Sequence, residues 1–181
     1  MAQEVECKLT IQNSEVALFT TRIEAYFPDA IVSEVHKEDL YYGLPDSTNL
    51  FRIRVTTDGI VVTQKYKELR SDGVEVNQET EFSVPTEDLG ALKQFFAKLG
   101  YLPVVEKKKI GNSWQKGTLT IELVEVEQLG WFIEIEKLLD DNASEREING
   151  AIEQLSEIRN ELGLSDYPLQ GRYYSEMLQD L

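Results

Sequence analysis

Charged residues recur at every second position on segments that otherwise read as strands: Glu4, Glu6 and Lys8, Arg52 and Arg54, Lys65 and Lys67, Glu79 and Glu81, Lys107 and Lys109, Glu134 and Glu136. Residues two apart in a strand point to the same face, so each pair sets two like charges side by side. In Glu4-Val5-Glu6-Cys7-Lys8-Leu9, Phe51-Arg52-Ile53-Arg54-Val55 and Ile133-Glu134-Ile135-Glu136 the opposite face is apolar. An ordinary barrel turns its apolar faces inward. Here helices are expected to cover the apolar faces from outside, leaving the charged faces to line a groove or tunnel.

The rest of the pattern supplies those helices. Strand Glu4 to Ile11 is followed by Ser14, a cap for a helix to about Phe27 with Val16, Phe19, Ile23 and Phe27 at helical spacing and Pro28 beyond it. Strands are predicted over Ile31 to Val35, Lys37 to Tyr42, Asn49 to Thr56, Gly59 to Leu69 and Val76 to Val84. Turns are read at Leu44-Pro45-Asp46, Asp58-Gly59 and Asp72-Gly73, the last two as hairpins. Thr86 caps a helix through Leu99. Strands Val104 to Ile110, Gly117 to Val126 and Trp131 to Leu138 follow. Ser144 and Glu147 form a capping box for a helix to Leu162, and a short helix is expected from Arg172 to Gln179. The class is α+β, mostly antiparallel, in a single domain over residues 1–181.

Composition narrows the ligand. The chain has 33 acidic and 18 basic residues, a net charge of −15, which excludes general attraction to nucleic acid or to an anionic membrane. Half of the basic residues, Lys8, Arg52, Arg54, Lys65, Lys67, Lys107, Lys108, Lys109 and Arg172, lie in or beside the alternating segments. An anionic ligand therefore has a local site. One cysteine, Cys7, excludes an internal disulfide and is read as buried. The start lacks the pattern of a secretion signal and no apolar run is long enough to span a membrane, so the expected location is cytoplasmic. His36, the only histidine, has no partner at zinc-ligand spacing.

If the charged faces meet around one cavity, Glu4, Glu6, Glu134 and Glu136, helped by Glu79, Glu81 and Glu122, offer oxygen ligands for Mg²⁺ or Mn²⁺. Arg52, Arg54, Lys65, Lys67, Lys107 and Lys109 then grip a polyphosphate. The simpler alternative is that the charges pair across neighbouring strands on a solvated face. Segregated signs fit that only if acidic and basic strands alternate. Lys108, out of phase, is expected to face solvent. Glu145, Glu147, Glu153 and Glu157 read as a solvated helix face, and Tyr41-Tyr42 as core and rim.

These segments together resemble a known family. Glu4-Val5-Glu6-Cys7-Lys8 matches the ExExK signature of the CYTH domain, or triphosphate tunnel metalloenzyme superfamily, and Leu129 to Glu136 resembles its LGxFxEIE segment. Between them Asp39-Leu40-Tyr41-Tyr42, Phe51-Arg52-Ile53-Arg54, Val62-Thr63-Gln64-Lys65, Glu79-Thr80-Glu81 and Lys107-Lys108-Lys109 are similar to its other steps, and Tyr173 to Leu178 to its ending. The resemblance implies an eight-stranded antiparallel β-barrel, a triphosphate tunnel with a charged lumen, covered by helices. Its members include class IV adenylate cyclases, thiamine triphosphatases and inorganic triphosphatases.

The implied metal ligands are Glu4, Glu6, Glu134 and Glu136, and the implied phosphate ligands Arg52, Arg54, Lys65, Lys107 and Lys109. Lys8 is implied to assist proton transfer or to bind phosphate. Val124 stands where many members carry an acidic residue, with Glu122 on the same strand face as its replacement, and Asn77 stands where an arginine is common. Length, the LGWFIEIE segment and the C-terminal helical region look most like class IV adenylate cyclases, which act on ATP. Hydrolysis of tripolyphosphate, thiamine triphosphate or a nucleotide is the alternative, and a non-catalytic polyphosphate or nucleotide sensor a third. Phe95, Phe96, Trp131 and Tyr173-Tyr174 would serve either a homodimer surface or the core.

Overall fold

A computed structural model describes residues 2–45, 47–70 and 73–181. Its strands are β1 (Ala2–Ile11), β2 (Ile31–Gly43), β3 (Phe51–Thr56), β4 (Gly59–Leu69), β5 (Glu75–Val84), β6 (Leu102–Lys116), β7 (Leu119–Val126) and β8 (Gly130–Leu139). The helices are α1 (Val16–Tyr26), α2 (Leu89–Lys98), α3 (Glu145–Glu161) and α4 (Tyr174–Gln179). The strands close into one antiparallel barrel in the order β1-β5-β4-β3-β2-β6-β7-β8. Closure leaves no unpaired edge among them.

The apolar faces do point outward to helices. Val5, Cys7 and Leu9 of β1, Ile121 and Leu123 of β7 and Ile133 and Ile135 of β8 are buried against Phe19 and Ile23 of α1 and Ile148, Leu155 and Ile158 of α3. Each large aliphatic buried in this way contributes roughly 1.5–3 kcal/mol. A second cluster sets Tyr42, Ile53, Ile60 and Val62 under Leu89, Leu92 and Phe96 of α2. Ser144 and Glu147 complete the expected capping box at the start of α3. Cys7 is fully buried in the first cluster, which pushes its thiol pKa up to about 12 and keeps it unreactive. Among the described residues no helix is long and apolar enough to cross a membrane.

Several boundaries differ from expectation. Residues 31–43 form one strand, not two, with a register shift between Tyr41 and Tyr42. Strand β6 runs on through Gly111 to Lys116, and Gly117 lies in the turn before β7. Gly111 has φ +153°, and a Cβ there would lie 2.2 Å from the Leu123 carbonyl oxygen, so only glycine permits this approach of β6 to β7. The β3–β4 turn is Thr57-Asp58, and Gly59 begins β4. Short 3₁₀ turns at Asn13–Glu15 and Thr86–Asp88 precede α1 and α2, and neither expected cap is made by Ser14 or Thr86. Helix α4 starts at Tyr174 rather than Arg172. Of the expected turns, Asp46 and Asp72 lie outside the described residues.

Candidate active site

The closing order sorts the charges. Strands β5, β1, β8 and β7 are contiguous, and carry Glu75, Glu79 and Glu81, then Glu4 and Glu6, then Glu134 and Glu136, then Glu122. Strands β4, β3, β2 and β6 form the other half, with Lys65 and Lys67, Arg52 and Arg54, Lys37, then Lys107 and Lys109. Among the described residues that face the bore from these strands, only Lys8 on β1 and Asp39 on β2 break the division. The bore therefore has a carboxylate wall facing a cationic wall, around a cavity of about 550 Å³. That size suits a small-molecule ligand.

The cavity is lined by Glu4, Glu6, Glu79, Glu81, Glu122, Glu134 and Glu136 and by Lys8, Arg52, Arg54, Lys65, Lys107 and Lys109. Lys67 alone among the expected site residues is not part of this lining. Its ammonium turns to the Gly171 carbonyl at 2.5 Å and to Glu75 at 3.5 Å. Lys108 is exposed, as its phase requires. The lumen also takes in residues that sequence reasoning left out: Lys37, Glu75, Tyr173 and Tyr174 line the cavity, and Asp39 lies buried beside it. Lys37 and Asp39 do alternate, but with opposite signs, and Glu75 continues the series Asn77, Glu79 and Glu81 one step beyond the expected strand start.

The two walls lean on each other. Lys65 Nζ lies 3.0 Å from Glu4, 3.1 Å from Glu6 and 3.3 Å from Glu79. Lys109 Nζ lies 2.6 Å from Glu122 and 2.7 Å from Glu134, and Lys37 Nζ is 2.7 Å from the other Glu122 oxygen. Arg54 grips Asp39 with two bonds of 2.5 and 2.9 Å, and Lys107 adds a contact at 2.8 Å. Thus the charges do pair with one another, yet not through alternating acidic and basic strands. Like charges remain neighbours along the carboxylate wall, where Glu6 stands opposite both Glu75 and Glu136 and Glu122 opposite Glu134. Val124, with Val35, Val126, Phe132 and Tyr174, fills the neighbouring part of the lumen with apolar side chains.

Crowding and pairing push the carboxylates apart in acidity. Burial, then the charges of Glu4 and Glu6, raise Glu136 to about 8, and burial with Glu6 raises Glu75 to about 7. Burial also raises Glu4. At Glu134 burial is overcome by Lys109, which holds the carboxyl well below its usual range, and at Glu6 burial is overcome by Lys65. Asp39 is likewise held low against burial by Lys107 and Arg54.

A hard divalent cation takes oxygen ligands, and the donor set of Glu4, Glu6, Glu134 and Glu136 fits it. Glu136 is the clearest sign, since among the described residues its carboxyl has no hydrogen-bond or ion-pair partner and like charges oppose it. Among the described residues no three carboxylates are already gathered into an ion cage, because Lys65 and Lys109 stand among them.

The raised carboxyls fix a pH dependence. Glu75 and Glu136 are protonated more readily in the folded protein than at their ordinary 4.5, so the stability they allow is in place below about 4.5. It is lost as pH rises through about 7 and about 8. The ligand-free protein is therefore expected to melt at a lower temperature at pH 8.5 than at pH 5.5, by several degrees, in calorimetry at constant ionic strength. A flat profile over that window would contradict the crowding described here.

Such a barrel, with a bipolar charged bore and helices packed on its apolar outside, belongs to the tunnel class. The chain is a member of the CYTH domain family, whose model matches residues 2–174. A protein of Methanocaldococcus jannaschii, provisionally named an adenylate cyclase, is 26% identical over 179 residues, covering 96% of this chain and 97% of its own. A solved structure from Pyrococcus horikoshii OT3 superposes with a TM-score of 0.72 at 28% identity, covering 98% of each chain. The same fold recurs at 16% identity and a TM-score of 0.67 in a Hippeastrum protein, over 99% of this chain and 96% of its own. That protein, provisionally named an adenylyl cyclase, is described as having a dominant triphosphatase activity.

Proposed function

We propose that the protein is a divalent-metal-dependent enzyme acting on a triphosphate, and that it converts ATP to cyclic AMP and pyrophosphate. One observation carries the substrate class: the cavity sets Arg52, Arg54, Lys65, Lys107 and Lys109 across from Glu4, Glu6, Glu134 and Glu136. A linear polyphosphate satisfies the first set and bound cations the second. Mg²⁺ or Mn²⁺ held by the glutamates would supply charge neutralisation of the phosphate oxygens.

The chain's own groups do the positioning. Arg54 is already oriented by its two bonds to Asp39, and Lys107 by its contact with the same carboxylate, so both cations are fixed before a ligand arrives. In the cyclase reaction the ribose 3′-oxygen forms a bond to the α-phosphorus, the bond from that phosphorus to the bridging oxygen breaks, and the hydroxyl proton is released. Lys8 is buried in the lumen, with Nζ 2.7 Å from the Arg172 carbonyl and 3.9 Å from Glu75. We assign it to charge stabilisation on the phosphates or to carriage of that proton.

The cyclase reading is supported by family membership and by the provisional name of the Methanocaldococcus jannaschii relative. The activity described for the Hippeastrum protein of this fold favours a second reading, hydrolysis at the terminal phosphorus. Phosphoryl transfer needs the same cations in both cases. A ³¹P NMR time course with ATP and with tripolyphosphate, in Mg²⁺ and in Mn²⁺, separates them. Pyrophosphate with cyclic AMP is expected; orthophosphate from either substrate establishes the hydrolase instead. Ligand-induced shifts without any product would leave a sensor and remove both enzymatic readings.

A further inference from the structure

The C-terminal segment enters the lumen. Leu169 forms an isolated bridge with Leu9, and the Gln170 N–H donates to the Lys8 carbonyl at 2.7 Å. Lys67 Nζ donates to the Gly171 carbonyl at 2.5 Å and Lys8 Nζ to the Arg172 carbonyl at 2.7 Å. These contacts deliver the next residue, Tyr173, to the cavity wall. Its N–H donates to the Glu176 carboxylate at 2.7 Å, and Lys67 Nζ lies 3.7 Å from the centroid of its ring.

The ring is thus held at both its backbone and its face, while its hydroxyl is buried and has no hydrogen-bond partner among the described residues. A buried donor left unmet is costly to fold, and in the functioning molecule such a group is met by protein, water or ligand; Tyr173 lines the ligand cavity. Lys65, Glu75, Glu176 and Glu6 are the charges that act on this phenol. Burial, foremost, raises its pKa, so it stays protonated and can only donate to an anion. Toward a phosphate oxygen the protonated phenol serves as donor, the role that, among the described residues, no other group of the lumen takes from it.

We infer that Tyr173 is a substrate-binding residue whose hydroxyl donates a hydrogen bond to a nonbridging oxygen of the triphosphate, which rests on the triphosphate reading above. The segment that closes over Lys8 and Lys67 then serves the ligand as well as the fold. A bond from a neutral donor to a charged oxygen is worth roughly tenfold or more in affinity.

The test is Tyr173→Phe, which keeps the ring over Lys67 and removes only the hydroxyl. Tripolyphosphate is titrated into wild type and variant by calorimetry, in EDTA and again with Mg²⁺, and the ligand-free proteins are melted. Binding weakened roughly tenfold or more, with a melting temperature equal to or above wild type, is expected. Unchanged binding overturns the inference while the triphosphate reading stands. So does unchanged binding with a lower melting temperature, the result if the hydroxyl serves the fold through Glu75. Wild type that binds no tripolyphosphate in either condition overturns the triphosphate reading and this inference with it.

Discussion

Glu134→Gln is expected to remove metal-dependent turnover, lowering the initial rate of product formation by at least about 10²-fold, while the protein still folds. The substitution keeps the shape of the side chain and deletes one negative charge from the carboxylate wall. Glu134 is suited to bear that charge because Lys109 holds it ionised at 2.7 Å. Lys109 keeps a second partner, Glu122 at 2.6 Å, so the variant does not strand a buried cation. The loss of stability is therefore well short of the roughly 3–5 kcal/mol that follows from orphaning a buried charge. Glu6→Gln should behave alike, since Lys65 retains Glu4 and Glu79. Rates from ³¹P spectra in Mg²⁺ and Mn²⁺, set beside melting curves, decide it. Wild-type rates in both variants would remove these glutamates from the metal site.

Lys65→Met is expected to be the most damaging single change to the ligand-free protein. Three carboxylates share this ammonium within 3.3 Å, and its side chain is only 25% exposed. Burial opposes its charge, but Glu6, Glu4 and Glu79 hold its pKa well above the ordinary value. Methionine fills the space and leaves Glu4, Glu6 and Glu79 facing one another, with an expected loss on the order of 3 kcal/mol at neutral pH. The carboxyls relieve that repulsion by binding protons, so the variant should recover relative to wild type as pH falls toward 5. Added Mg²⁺ should raise its melting temperature more than that of wild type, because a cation replaces the missing ammonium. Parallel pH profiles for the two proteins would show that Lys65 does not carry this balance.

The barrel was legible wherever one strand face was charged and the other apolar, as in β1, β3 and β8. Strand β2 was legible only as two pieces, because His36 and Glu38 are exposed on the outside while Lys37 and Asp39 face inward. With both faces polar, no burial rhythm marks a continuous strand. The strand expected to end at Ile110 runs on to Lys116 for another reason: Gly111 answers a close approach of β7, which belongs to tertiary structure. The lumen charges were readable strand by strand, but their partners were not. Lys65 meets Glu4 and Glu6 across β5, and no local pattern shows that β1 lies on the far side of β5 from β4. Tyr173 and Tyr174 read equally as surface or core because the segment that carries them inward, residues 163–172, follows no regular period.

The ion pairs across the bore make ligand capture an exchange reaction. A triphosphate takes lysine and arginine away from glutamates, and a metal ion takes glutamates away from lysines. Either ligand alone leaves one wall stripped of its counter-charges; the two together leave none. Affinity for each should therefore rise when the other is present, by the same factor in both directions. A bore whose cations are already paired with its own carboxylates before binding also releases few counterions to solution, so its affinity should respond less to salt than that of an open cationic groove.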